Sequence, residues 1–112
     1  MSSNQTLTTP RANDTVFSFQ LLLNERPMNL TGFTLEFHLK PSAQADDATG
    51  ITLNSSTGVT VTNATRGTVD ILVPATANTT AGNQWWRLDA IDTAHNNARI
   101  TVMYGPYVVL AV

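Results

Sequence analysis

Cysteine is absent from this chain of 112 residues. The absence excludes disulfide bonds, thiolate nucleophiles and cysteine-ligated zinc sites. Charged residues are scarce as well, at 12% of the chain, whereas a typical soluble domain has about 25%. Much of the exposed surface must therefore be neutral and polar, and we expect packing and strand ladders alone to stabilise the fold.

A long apolar run and a cluster of basic residues are also missing. No stretch approaches the ~20 apolar residues of a membrane span, and the first residues, MSSNQT, lack the basic and apolar parts of a signal peptide. The formal net charge is −2, and no patch of lysine and arginine is present to release counterions from phosphates. We therefore expect a protein that is made and kept in a cytosol and binds neither nucleic acid nor membranes.

No group of residues has the spacing of a catalytic or metal site. His38 and His95 are the only histidines, and neither has a second ligand at local spacing. Asp89, Asp92 and, on a nearby predicted strand, Asp70 are candidates for a calcium site, but the spacing of a calcium-binding loop is missing. The serines lack the Gly-x-Ser-x-Gly elbow of hydrolases. We therefore expect no enzyme, no metal and no cofactor.

Strict alternation of apolar and polar residues is the strongest feature that the chain does have. The octet 33–40, FTLEFHLK, alternates without an error. Because side chains along a strand point to opposite faces in turn, the four apolar residues share one face and the four polar residues share the other. The octet therefore predicts a strand with one face in a core and one face in water.

The same alternation predicts about eight strands, separated by turn signals at the spacing typical of sandwiches. The fold class is therefore an all-β, antiparallel, immunoglobulin-like β-sandwich over residues 15–112. Residues 1–14 are polar and have no period, which predicts a flexible arm. We expect the short strands 51–53 and 59–62 to pair with each other. The predicted strands are 15–23, 33–40, 51–53, 59–62, 68–73, 84–92, 98–103 and 107–112.

Strands and turns together resemble a known family. The segments that carry the resemblance are DTVFSF at 14–19, NLTGFTLEF at 29–37, GTVDI at 67–71, the Ala81-Gly82 pair that leads into 85–92, and YGPYVV at 104–109. They resemble the small immunoglobulin-like sandwich domain of tailed bacteriophages, a family that includes the N-terminal domain of baseplate upper proteins. In that family the domain joins a receptor-binding or fibre component to the tail. The resemblance implies a virion structural protein.

The adjacent tryptophans predict a contact surface. Neighbouring residues of a strand point to opposite faces, and Trp86 is in phase with the apolar residues of its strand, so we assign Trp86 to the core. Trp85 then faces outward beside Arg87, a combination that is enriched at protein interfaces. The alternative is that the N-terminal arm or a loop of the same chain shields Trp85.

The end of the chain predicts a second contact. Residues 107–112 are apolar at every position, so this strand is either covered on both faces or meets another subunit. Leu22 is out of phase with the apolar residues around it and joins this prediction. The predicted interface residues are Leu22, Trp85, Arg87, Tyr107, Val108, Leu110 and Val112.

These observations favour a virion structural protein, a small tail, baseplate or fibre-attachment adaptor that docks to other virion proteins. We expect a homo-oligomer, with three copies inferred from the kind of assembly. One alternative is a capsid decoration protein whose arm, residues 1–14, clasps a neighbour. Another is a carbohydrate-binding module in which Trp85 stacks on a sugar while Asp89, Asn96 and Asn97 bind its hydroxyls.

Overall fold

The computed structural model describes residues 3–23, 25–42, 50–77 and 82–111. These residues form eleven strands and two single-turn 3-10 helices, Ala64–Arg66 and Ala75–Ala77. No helix among them is long and apolar enough to cross a membrane. The strands are β1 (Ser3–Asn4), β2 (Leu7–Pro10), β3 (Thr15–Gln20), β4 (Leu22–Leu23), β5 (Arg26–Pro27), β6 (Phe33–Lys40), β7 (Ile51–Leu53), β8 (Val59–Asn63), β9 (Thr68–Val73), β10 (Gly82–Asp92) and β11 (Ala98–Leu110).

Two sheets pack face to face and confirm the predicted all-β sandwich. The large sheet has the order β1-β11-β10-β6-β7, with β2 also beside β11, and the small sheet has the order β3-β9-β8. Strands β4 and β5 form a separate hairpin. The large sheet is mixed and not purely antiparallel, because β1 and β2 run parallel to β11.

Trp86 lies at the centre of the core, as the phase of its strand predicts. Its ring stacks on Phe19 of the small sheet, with centroids 5.5 Å apart, and on Phe37 of the neighbouring strand, 5.8 Å away. Leu88 and Ala90 of β10 are buried on the same side. The buried face of the octet is also confirmed, since Leu35, Phe37 and Leu39 all lie in this core.

The N-terminal residues differ from the predicted flexible arm. Residues 3–10 pair with β11, with Ser3 beside Met103 and Leu7 beside Tyr107. Leu7 and Thr9 are buried, so the sandwich includes part of the segment that we placed outside the 15–112 domain. The sequence did not predict this pairing because Leu7 is the only large apolar residue of β2. The pairing also depends on residues at the other end of the chain, which a local pattern does not include.

The two last predicted strands, 98–103 and 107–112, are one continuous strand, β11. Gly105 and Pro106 read as a turn in the sequence but lie in extended backbone beside the interruption between β1 and β2. Gly105 is required there because a Cβ atom would overlap the carbonyl oxygen of Gln5. Val112 lies outside the described residues.

Strands β7 and β8 do not pair with each other as predicted. β7 pairs with β6 in the large sheet, and β8 pairs with β9 in the small sheet. The connecting turn, 54–58, therefore crosses from one layer of the sandwich to the other. Its geometry is held locally, because the side-chain oxygen of Asn54 accepts a hydrogen bond from the backbone of Ser56 at 2.9 Å.

Candidate docking surface on the large sheet

The outer face of the large sheet, which points away from the small sheet, carries most of the residues with a predicted role. Strand register places Lys40, Trp85 and Pro106 in one row, and His38, Arg87 and Tyr104 in the next. We divide this face into an ionic cluster and an apolar patch. The ionic cluster is Glu36, His38, Arg87, Asp89, Arg99 and Thr101, and the apolar patch is Trp85, Tyr104, Pro106, Val108 and Leu110.

Asp89 is the centre of the ionic cluster and is 0% exposed. Arg87, two residues earlier on β10, donates from Nε to both carboxylate oxygens at 3.0 Å. From β11, Arg99 donates to Oδ2 at 2.9 Å and the hydroxyl of Thr101 donates to Oδ1 at 2.8 Å. Donors from two strands therefore satisfy both oxygens of this buried carboxylate.

Glu36 and His38 extend the cluster to β6. Arg99 donates to Glu36 at 2.8 Å, and this hydrogen bond, followed by the one to Asp89, raises the pKa of Arg99 above its ordinary value. Arg99 therefore stays charged at any pH compatible with the fold. His38 Nδ1 lies 3.2 Å from the hydroxyl of Thr52. Its Nε2 lies 3.2 Å from a Glu36 oxygen without forming a hydrogen bond.

Only the C-terminal half of the polar side of β6 is buried, while Thr34 is exposed, so our prediction that this side faces water is corrected in part. His38 is 5% exposed and Lys40 is 7% exposed. The cause is the neighbouring strand, because His38 lies directly beside Arg87 and Lys40 directly beside Trp85. Long side chains of β10 therefore cover residues that the alternating pattern of β6 alone places in solvent.

The candidate calcium ligands are separated in the fold. Asp70 lies on the small sheet, where it accepts a hydrogen bond from Ser18 at 2.7 Å, and Asp92 pairs with His95 at 2.7 Å. Within the described ranges, no three His, Asp or Glu side chains are arranged to hold a metal ion. In the ionic cluster, the charges of two carboxylates are instead neutralised by two guanidinium groups.

The apolar patch begins at Trp85. Its ring contacts Tyr104 across the strand pair, with centroids 6.0 Å apart, and remains partly exposed. On β11, Val108 is half-buried and Leu110 is 42% exposed. Trp85 therefore lies on the outer face beside Arg87, and Tyr104 covers part of the indole. Tyr104 and Pro106 were not predicted, because the outward phase of β11 is visible only when 98–110 is read as one strand.

The structure separates the other predicted interface residues. Tyr107 is fully buried and packs edge-on against Phe17, with ring centroids 5.9 Å apart, so it is not available for docking. Alternation along β11 sends Tyr107 inward while Val108 and Leu110 point outward. Leu22 is 48% exposed but lies in the β4–β5 hairpin, outside the apolar patch. Val112 is outside the described residues.

The predicted sugar contacts do not converge. Trp85 and the Asn96-Asn97 turn are at opposite ends of β10, which places them roughly 23 Å apart at the rise of a β-strand. Asp89 is buried beneath the two arginines and offers no free oxygen to a hydroxyl group. The three predicted sugar contacts therefore do not line one binding site.

Comparison with known proteins shows the fold. No protein-family model matches the chain, and no curated protein matches it in sequence. Among solved structures, the chain is similar to the N-terminal domain of phage TP901-1 ORF48, with a TM-score of 0.67 and 16% identity over 97% of this chain and 89% of that chain. An identity this low supports a shared fold and no more. The resemblance to a phage sandwich domain is therefore confirmed at the level of the fold.

Proposed function

We propose that this chain is a structural component of a tailed-phage virion, a small tail, baseplate or fibre-attachment adaptor that docks to other virion proteins. It is made in the host cytoplasm and resides in the particle. The observation that carries the proposal is the likeness in fold to a phage domain over 97% of the chain. Because a fold does not specify a function by itself, the proposed docking role depends on the residues of the outer face.

The apolar patch has the composition of an interface centre. Aromatic residues and arginine are enriched in such centres, while unpaired charges are depleted. Trp85 and Leu110 are accessible, and Arg87, on the same face of β10 as Trp85, is held by Asp89. We therefore propose a partner surface that is largely apolar, with a pocket for the Trp85 indole and few charges of its own.

The ionic cluster lowers the desolvation free energy that a partner must overcome when it covers this face. Isolated charges lose several kcal/mol of hydration when a partner buries them, on the order of the penalties seen in protein interiors. Here Glu36 and Asp89 are already neutralised by Arg87 and Arg99. A partner that covers the outer face therefore meets paired charges whose hydrogen bonds remain intact.

Self-association forms part of the proposal. We propose a symmetric homo-oligomer of three copies, consistent with the closed symmetry of most homo-oligomers. Light scattering on the purified chain measures the copy number directly. A strictly monomeric protein at all accessible concentrations would contradict this part of the proposal and leave docking to other proteins untouched.

The experiment that tests the docking face compares two alanine substitutions, each introduced into the gene in the phage. Trp85→Ala removes the centre of the apolar patch, and we expect loss of the protein from assembled particles. The matched control is Leu72→Ala, which removes a side chain 43% exposed on the opposite face of the sandwich. We expect this variant to be incorporated normally. Circular dichroism and thermal unfolding verify that both variants fold. Normal incorporation of folded Trp85→Ala would reject the proposed face.

A further inference from the structure

The N-terminal strands β1 and β2 fill a groove along the edge of β11 that is shaped to receive a strand. The Gln5 amide donates to the Tyr104 carbonyl at 2.9 Å, and the buried indole nitrogen of Trp86 donates to the Gln5 carbonyl at 2.8 Å. Gly105 leaves room for that carbonyl, because any Cβ atom would overlap it. The core therefore needs a strand in this groove.

The segment in the groove brings few side chains of its own to the core. Leu7 and Thr9 are buried, whereas the flanking residues Thr6 and Thr8 are exposed. The hydroxyl of Thr9 contacts that of Thr15. Backbone pairing with β11 therefore provides most of the attachment, and this pairing is independent of which copy of the chain supplies the segment.

The connection between the segment and the rest of the sandwich is strained. Ala12 has a φ of 62°, in the left-handed region that disfavours residues with a Cβ atom. It lies in the exposed hinge 11–14, which ends where Asp14 accepts a hydrogen bond from the Ala75 amide at 2.6 Å. An extended hinge of this length spans roughly 13 Å and releases the strain at Ala12.

From these observations we propose that residues 3–10 exchange between copies, so that the β11 groove of one copy binds the N-terminal strands of a second copy. The exchanged contacts are the same as those within one chain, while the strain at Ala12 is lost. A strained short hinge favours exchange of this kind, and the high local concentration of copies in an assembly favours it further. The inference is independent of the proposed docking face.

Paired cysteines test the exchange without background, because the chain has none of its own. Thr9 and Val109 are direct partners and both face the core. A disulfide between Thr9→Cys in one copy and Val109→Cys in another therefore requires an exchanged strand. The two single variants are mixed, unfolded in denaturant and refolded together at high protein concentration. Non-reducing electrophoresis and mass spectrometry then measure the heterodimer.

The matched control uses the same residue types in a pair that lies beyond the hinge. Thr15→Cys and Val73→Cys are direct partners across β3 and β9, and loss of the Thr15 hydroxyl removes the same contact with Thr9. We expect disulfide-linked heterodimers from the first mixture and none above background from the second. Equal yields from the two mixtures would overturn the proposal.

Two further variants keep the result decisive. A single chain with both Thr9→Cys and Val109→Cys, refolded at low concentration, is expected to close an internal disulfide, and failure to close it would overturn the assigned pairing. Ala12→Gly removes the backbone strain in the hinge of the closed monomer. We expect it to lower the heterodimer yield by roughly tenfold, which is the population ratio that corresponds to the free-energy cost of an alanine in the left-handed conformation. An unchanged yield would overturn the role of the hinge.

Discussion

Asp89 is a charged residue whose position is determined entirely by its neighbours in space. Its carboxylate has no exposed surface and is held by Arg87, Arg99 and Thr101. Such a network adds little to the free energy of unfolding when it is compared with apolar side chains of similar volume. Removal of one member is nevertheless costly, because it leaves the charges of the others uncompensated. The stability of the outer face therefore depends on this one side chain.

Replacement of Asp89 by asparagine is expected to destabilise the protein by about 3 kcal/mol, because the half-buried Arg87 and the exposed Arg99 lose their common buried anion. The matched control is Asp70→Asn on the small sheet, where a single hydrogen bond from Ser18 is affected; we expect less than about 1 kcal/mol there. Urea unfolding followed by circular dichroism measures both values. Equal destabilisation of the two variants would contradict the structural role of the ionic cluster.

The turn between β10 and β11 depends on two residues in the left-handed conformation. Asn96 has a φ of 57° and Asn97 a φ of 58°. They occupy the two central positions of the turn that the Ala98 amide closes by donating to the His95 carbonyl at 3.2 Å, and positive φ at both positions is typical of the mirror-image type I′ turn. Asparagine tolerates this conformation because its short polar side chain forms local hydrogen bonds. The strands predicted over 84–92 and 98–103 place this turn correctly, since its signal is entirely local.

Substitutions at Asn97 are expected to change stability in opposite directions. Asn97→Gly stabilises the protein by a few tenths to about 1 kcal/mol, because glycine has no steric penalty at positive φ, and Asn97→Ala destabilises it by about 1 kcal/mol. Thermal unfolding of the two variants beside the parent protein measures the difference. A higher melting temperature for the alanine variant would be incompatible with the described turn.

At the scale of elements, the strands that the sequence predicts are those whose apolar residues alternate within one segment. The octet on β6 and the core face of β9 are of this kind, with Val69, Ile71 and Val73 all buried. β2 was not predicted as a strand, because Leu7 is its only large apolar residue. The continuity of β11 was also missed, because the Gly105-Pro106 pair is typical of a turn unless the strand that packs beside it is known.

The sequence also did not predict which residues of neighbouring strands cover one another. His38 and Lys40 are polar residues of an alternating strand, and burial follows only from the register between β6 and β10. The same holds for the candidate site. The outward phase of Trp85 and Arg87 is a local property that the sequence provides, whereas the placement of Tyr104 against the indole requires the paired strand.

Gly105 connects the N-terminal strands to the core, and its replacement tests that connection. Gly105→Ala is expected to push Gln5 out of the groove and destabilise the protein by about 1–3 kcal/mol. Loss of the N-terminal pairing also frees the Arg11 amide from the Leu110 carbonyl, so that trypsin cleaves after Arg11 faster. The control is Gly82→Ala, because Gly82 has a φ of 137° that is close to the 157° of Gly105, but has no atom within 4 Å of the added Cβ. Limited proteolysis of both variants measures cleavage after Arg11. Equally fast cleavage in the two variants would refute the assigned role of Gly105.

At the scale of the whole molecule, the sandwich exposes apolar side chains on both of its outer surfaces. The small sheet presents Val16 and Leu72, which are direct partners across β3 and β9. The large sheet combines Trp85, Tyr104 and Leu110 with charges that are already paired. Among the described residues, only the latter surface offers an aromatic anchor beside a fixed arginine, which is why we place the proposed docking function there.

Mass spectrometry of phage particles purified from cells that express this chain from its native gene is the most direct test of the proposed function. We expect the chain to be recovered from the particles after stringent purification, at a fixed copy number per particle. Absence of the chain from purified particles, together with its presence in the infected-cell lysate, would contradict a role in the virion.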